Sequence, residues 1–334
     1  MSFSLFFSVF KQTVAEWQRD KVSRLAAALA YYTTFSLAPI LIIAIAIASF
    51  LFEQSTVQTR IIEQLQGLLG DSGAQLVQEM LTSKSQGADG FWATVISVGL
   101  LILGASGLFI QLQDALNTVW NVVPKKEKGG LWKLVRDRVL SFGMVLAIGF
   151  LLLVSLLLSA GLAAVSNLFG DTLLGWDLGW QLLNAAVSFG MITLLFGLIY
   201  KVLPDAKVAW SDVQVGAAMT ALLFTVGKAL IGLYLGNSSV ASAYGAAGSF
   251  VVLLLWIYYS AQILLFGAEF TQVYANRFGS DIRPDKYAEF AADATALERG
   301  DKKSEPEERL PKTRSEYRAQ RKSAERKSAE RKSV

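Results

Sequence analysis

The chain has 334 residues, 53% of them hydrophobic and only 17% charged, with a net charge of +4. A soluble domain carries about a quarter charged residues, and here the apolar residues come in long runs rather than at amphipathic spacing, so the composition describes a polytopic helical membrane protein. Zero Cys and zero His exclude disulfides, thiolate chemistry, the commonest general base and the commonest zinc ligand. Any hydrolase here would have to work with carboxylates, Lys or Tyr, and neither a metal nor a cofactor is expected.

Residues 1–30 form the first unit, an amphipathic N-terminal helix. Lys11, Arg19 and Lys21 lie on its polar side and Phe6, Phe7, Val9, Phe10, Val14 and Trp17 on the other. Such a helix either lies in the membrane surface plane or packs on the bundle. No cleavable signal is expected, because the apolar residues precede the first lysine, Lys11.

Residues 31–275 form the membrane domain. Six spans are predicted, at about 31–52, 91–112, 139–164, 181–203, 213–235 and 247–274. No charge falls between Arg24 and Glu53, and Tyr31, Tyr32, Thr33, Thr34 and Ser36 make a hydroxyl-rich collar before Pro39. Proline removes an N–H and clashes with the preceding turn, so a kink is expected at Pro39. The connection 53–90 reads as two short amphipathic helices broken at Gly70–Gly73. The second span contains G-A-S-G at 104–107, small residues that let helices approach closely. Gly232–Gly236 is a weaker packing signal of the same kind.

Six spans put both ends on one side. Nearly all Lys and Arg lie in the N-terminus, the 121–138 loop, the 201–212 loop and the C-terminus, against only Arg60 and Lys84 in the opposite connections. The positive-inside rule then places both termini in the cytoplasm. From 276 to 334 the chain becomes a charged tail, expected to be largely disordered. Residues 301–334 hold 12 Lys/Arg and 7 Asp/Glu, which is +5, so the basic balance belongs to the tail. That tail either touches anionic lipid headgroups or is a solvated positive-inside extension. No specific nucleic-acid partner is expected, and a homo-oligomer is compatible with the sequence.

Polar groups inside spans are expensive and so mark candidate sites. Lys228 falls in the fifth span and either faces the interior or snorkels outward. Glu269 lies near the end of the sixth span, Asp114 and Asn117 at the end of the second, and Arg24, Tyr31 and Tyr32 at the start of the first. Depth brings these groups, with Gln111 and Gln272, to a similar level. They line a polar substrate pocket if their helix faces converge, or close the bundle end as a structural layer if they do not.

R-L-A-A-A-L-A-Y-Y-T-T-F-S-L-A-P at 24–39, A-L-N-T-V-W at 115–120 and the run from Tyr244 to Phe270 resemble the landmarks of the YihY/BrkB family of bacterial inner-membrane proteins. The similarity covers about 10–275, in order. It implies a six-span, multi-pass protein of the bacterial inner membrane. It also matches Arg24, Tyr31, Pro39, Asn117, Lys228 and Glu269 to family positions, with roles unassigned. The family carries a virulence-factor name and an older description as ribonuclease BN, a tRNA-processing enzyme, and lipid or lipopolysaccharide-precursor export is suspected for some relatives.

Three functions follow for comparison. The first is a non-enzymatic transporter or flippase of an amphiphilic, anionic, lipid-like substrate, with membrane lipids as its partners. Lys228, the candidate pocket and the kinked first span favour it. The second is an envelope scaffold that docks through 53–90 and the tail. The third, a ribonuclease, needs clustered ligands facing water, and the cytoplasmic loops offer no tight carboxylate cluster.

Overall fold

The computed structural model describes residues 3–50, 52–82, 91–125, 143, 177–237, 244, 247–280 and 282–292. Among the described residues seven helices are defined: α1 (Phe3–Arg19), α2 (Val22–Ala48), α3 (Gln54–Thr82), α4 (Phe91–Val119), α5 (Asp177–Val202), α6 (Trp210–Asn237) and α7 (Gly248–Phe278). Within α2, α5, α6 and α7 are four stretches long and apolar enough to cross a membrane. The third predicted span, 139–164, lies outside the described residues apart from Gly143, which is helical. The molecule is an all-α membrane protein.

Helix α7 is the centre of the bundle, in contact with α1, α2, α3, α4 and α6. Its seam with α6 is set by glycines. A Cβ on Gly216 of α6 would collide with Thr271 of α7, and a Cβ on Gly267 of α7 would collide with Thr220 of α6. The two backbones therefore approach twice, each time with a threonine of one helix filling the space a side chain would take on the other. Tyr200 of α5 closes the same junction: its hydroxyl lies 3.0 Å from Thr220 Oγ1 and donates to the Leu264 carbonyl at 2.6 Å. The G-A-S-G reading holds in the α2–α4 seam, where Gly104 sits against the Pro39 ring and Ser36 Oγ donates to the Gly104 carbonyl at 2.5 Å. Helix α2 is helical on both sides of Pro39.

Three boundaries differ from the sequence reading. The chain breaks at Asp20–Lys21 rather than near residue 30, so Arg24 already lies in the first turn of α2. Lys21 makes that turn with φ of 54°, the left-handed conformation that commonly ends helices. Helix α3 does not break at Gly70–Gly73. Glycine inside a helix costs about 1 kcal/mol relative to alanine. Packing of Val77, with Ile61, Ile62 and Leu65, against Leu41 and Leu253 offsets that cost.

The third difference is at the start of the tail. Helix α7 runs on to Phe278, and the next residues add two short antiparallel ladders. Strand β1 (Val122–Pro124) pairs with β4 (Ala288–Phe290), and β2 (Ala206–Lys207) pairs with β3 (Arg283–Pro284). The C-terminal ends of α4, α5 and α7 thus meet at one end of the bundle. Asp212, in the first turn of α6, accepts the Ser280 N–H at 2.7 Å and ties α6 to the same end. The rest of the predicted tail, 293–334, lies outside the described residues.

Candidate functional site

The N-terminal helix is fastened to α7 near both its ends. Arg277 donates to Ser8 Oγ at 2.6 Å. Trp17 donates to Gln262 Oε1 at 3.2 Å, and Gln262 Nε2 donates onward to the Tyr258 hydroxyl at 2.7 Å. Between these ties the Phe10 and Phe266 rings meet at 5.6 Å. The buried stripe of α1 is Val9, Thr13 and Glu16, at helical spacing, and not the row of phenylalanines. Phe7 is 62% exposed, so it sits on the outer face of α1.

Where α1 crosses α6 and α7 it leaves a groove of about 540 Å³. Phe10, Val14 and Trp17 form one wall, Tyr259, Gln262, Ile263 and Phe266 the second. The third is the α6 stripe Leu223, Val226, Gly227 and Leu230, at i, i+3, i+4 and i+7. Gly227 lets α6 come close to α7 where both line the groove, since a Cβ there would come within 2.7 Å of Ile263 Cδ1. The volume falls in the ordinary range for small-molecule pockets, and a mostly apolar lining with a few polar groups is the usual composition of one.

Glu269 is buried beside this groove. It shares one face of α7 with Gln262, Phe266 and Val273, the face that meets α1. The charged groups that act on it are Asp20, Glu16 and Arg19, all from α1 or the turn after it. Neither of its carboxyl oxygens has a hydrogen-bond partner among the described residues. Arg19 is engaged with Glu16 at 2.5 Å and with Asp20 at 3.4 Å.

The other predicted site residues do not join Glu269. Asn117 is buried, but against the loop after α5. Its Nδ2 donates to Asp205 Oδ2 at 3.0 Å and its Oδ1 accepts the Asp205 N–H at 2.8 Å. Gln113 Nε2 gives the same carboxylate a second donor at 3.2 Å. Arg24 and Asp114 are exposed. Tyr31 and Tyr32 are 59% and 43% exposed and stack edge-on with each other rather than lining an interior pocket. Lys228 is exposed too, the outward of the two placements left open above. It follows Gly227 by one residue, about 100° around the helix, and so falls outside the groove stripe. Among the described residues no three Asp or Glu side chains are arranged as metal ligands.

The family described as Virulence factor BrkB matches residues 13–291. The chain belongs to the BrkB family. The matched region contains Glu269, both strand ladders and every groove residue but Phe10. Its relatives include a UPF0761 membrane protein of Mannheimia succiniciproducens, 29% identical over 80% of this chain and 89% of the relative. A UPF0761 membrane protein of Aeromonas salmonicida is 27% identical over 77% of this chain and 85% of the relative. One from Pseudomonas aeruginosa is 28% identical over 75% of this chain and 58% of its own length. No solved structure matches this BrkB-family chain.

The groove and the partners of Glu269 were not legible in the sequence. The weak signal that could have found them is the spacing of four and three that Thr13 and Glu16 make with Val9.

Proposed function

We propose that this protein is a transporter or flippase of an amphiphilic, lipid-like molecule in the bacterial inner membrane. It would cross the membrane six times with both termini cytoplasmic, the arrangement favoured by the distribution of Lys and Arg. The observation that carries the reading is the groove between α1, α6 and α7. Its aromatic and branched walls suit an acyl chain, and the Trp17–Gln262–Tyr258 chain of hydrogen bonds gives its edge a polar element. Lys228, exposed on α6 outside the groove stripe, is the cation we assign to an anionic head group beyond the groove's edge. No covalent step is assigned to any residue.

Purified full-length protein in vesicles should move a fluorescent anionic phospholipid between leaflets faster than empty vesicles do. Val226→Trp, which fills the groove from an exposed wall position, should slow that movement several-fold. Lys228→Gln should fold normally, because exposed substitutions shift stability by about 0.5 kcal/mol or less, and should narrow the difference between anionic and zwitterionic lipid. Movement at the rate of empty vesicles, from protein shown to be folded, would reject transport and leave the envelope-scaffold reading.

A further inference from the structure

The groups around Glu269 form a second device beside the groove. A carboxyl that is completely buried, with both oxygens lacking hydrogen-bond partners among the described residues, is an unusual thing to keep on the central helix of a membrane bundle. Ionisable groups in such positions commonly belong to ion or proton pathways rather than to packing. The side chain is also not sealed away from other charges. From α1 and its C-terminal turn it is faced by Glu16, Arg19 and Asp20. On the neighbouring helices, Arg24 of α2, Asp114 of α4 and Lys228 of α6 are exposed, and Asp212 of α6 is turned to the backbone of Ser280.

The geometry points to Glu269 as a proton-binding site under α1, and to H⁺ as the ion coupled to movement through the adjoining groove. The coupling half rests on the transport reading above; the site itself does not. Like-charge repulsion gives the mechanism. Two carboxylates, Glu16 and Asp20, already share Arg19. When the proton leaves Glu269, a third carboxylate joins them in a buried site, where like charges repel strongly. The element that can respond is α1, because it and the turn that ends it carry Glu16, Arg19 and Asp20. It is joined to α2 only by the short turn at Asp20–Lys21, and it forms one wall of the groove. The proton is taken up or released at the Glu269 carboxyl, with no other bond made or broken. Its loss loosens α1 from α7 and changes the width of the groove.

Two measurements on the full chain test this. In lipid vesicles without substrate, the infrared band of a neutral carboxylic acid should disappear as pH is raised and should be missing from Glu269→Gln. Dicyclohexylcarbodiimide should form an adduct on the Glu269 peptide of the unmodified protein, with a yield that falls as pH rises, so the result stands even where the variant does not fold. No adduct at any pH, or a yield indifferent to pH, would overturn the site. For coupling, a pH gradient across the vesicle should change the rate of lipid movement several-fold, and Glu269→Gln should keep some movement but lose the gradient dependence. Movement indifferent to the gradient overturns the coupling alone. No movement under any gradient rejects the transport reading and the coupling with it, while the titration still decides the site.

Discussion

Gly267→Val should leave almost no correctly assembled protein. The added Cβ would lie 2.7 Å from the Tyr200 hydroxyl and closer still to Thr220 Oγ1. Neither group can step aside freely. Tyr200 is fully buried and is held by Thr220 and by the Leu264 carbonyl, and Thr220 is fully buried and donates to the Gly216 carbonyl at 2.7 Å. The helices cannot slide to relieve the clash, because Gly216 and Thr271 fix the same seam one contact further along. Overpacking costs about 1–3 kcal/mol, and each buried polar group that loses its partner adds about 1–3 kcal/mol. Together these approach the whole stability of a typical domain, about 5–15 kcal/mol. Thermal unfolding in detergent, followed by the size-exclusion profile, reads the effect. Gly190→Ala is the matched control, since a Cβ there meets nothing within 4 Å. If the two variants unfold at the same temperature, the α6–α7 seam is not packed as described.

That seam also shows where the sequence stops being informative. Long apolar runs are a property of one segment at a time, and they located α2, α5, α6 and α7 to within a few residues, apart from the start of α2. The G-A-S-G stretch was legible for the same reason, because small residues in a row advertise a close approach whatever the partner is. Gly216 and Gly267 are each isolated, and their meaning appears only when the threonine of the opposite helix is known.

Site residues fared worse because depth along a helix is readable and facing is not. Arg24, Tyr31, Tyr32, Asp114, Asn117 and Glu269 share a level, yet they divide between the surface and two separate buried clusters. A rotation of about 100° per residue decides between these fates, and in a helix that is apolar nearly all round no stripe marks the inward side. The strand ladders after α7 were missed on different grounds. Each strand has only two or three residues, and both pair with segments more than 70 positions away, so no local pattern announces them.

The buried amide at Asn117 carries the second large effect. Asn117→Ala should destabilise the protein by about 2–4 kcal/mol, while Asp114→Ala, three residues earlier, should cost about 0.5 kcal/mol or less. Asn117 meets Asp205 at two points, giving its N–H to the carboxylate and taking the backbone N–H in return. Truncation leaves a buried carboxylate short of a donor and a buried N–H without an acceptor, and Gln113 alone cannot serve both. The damage should spread along the chain in a definite order. The Asp205 carbonyl accepts the Asp285 N–H at 2.9 Å, and Lys207 pairs with Asp285 at 3.3 Å, so the segment 282–291 is anchored through the same loop. Limited proteolysis of Asn117→Ala should therefore cut first between 280 and 291, before any helix is attacked. Asn117→Asp should be worse than alanine, because it places a second carboxylate against the buried Asp205. Equal melting temperatures for the alanine variants at 114 and 117 would mean that Asp205 draws its stabilisation from elsewhere, and that the bundle end is closed by the strand ladders alone.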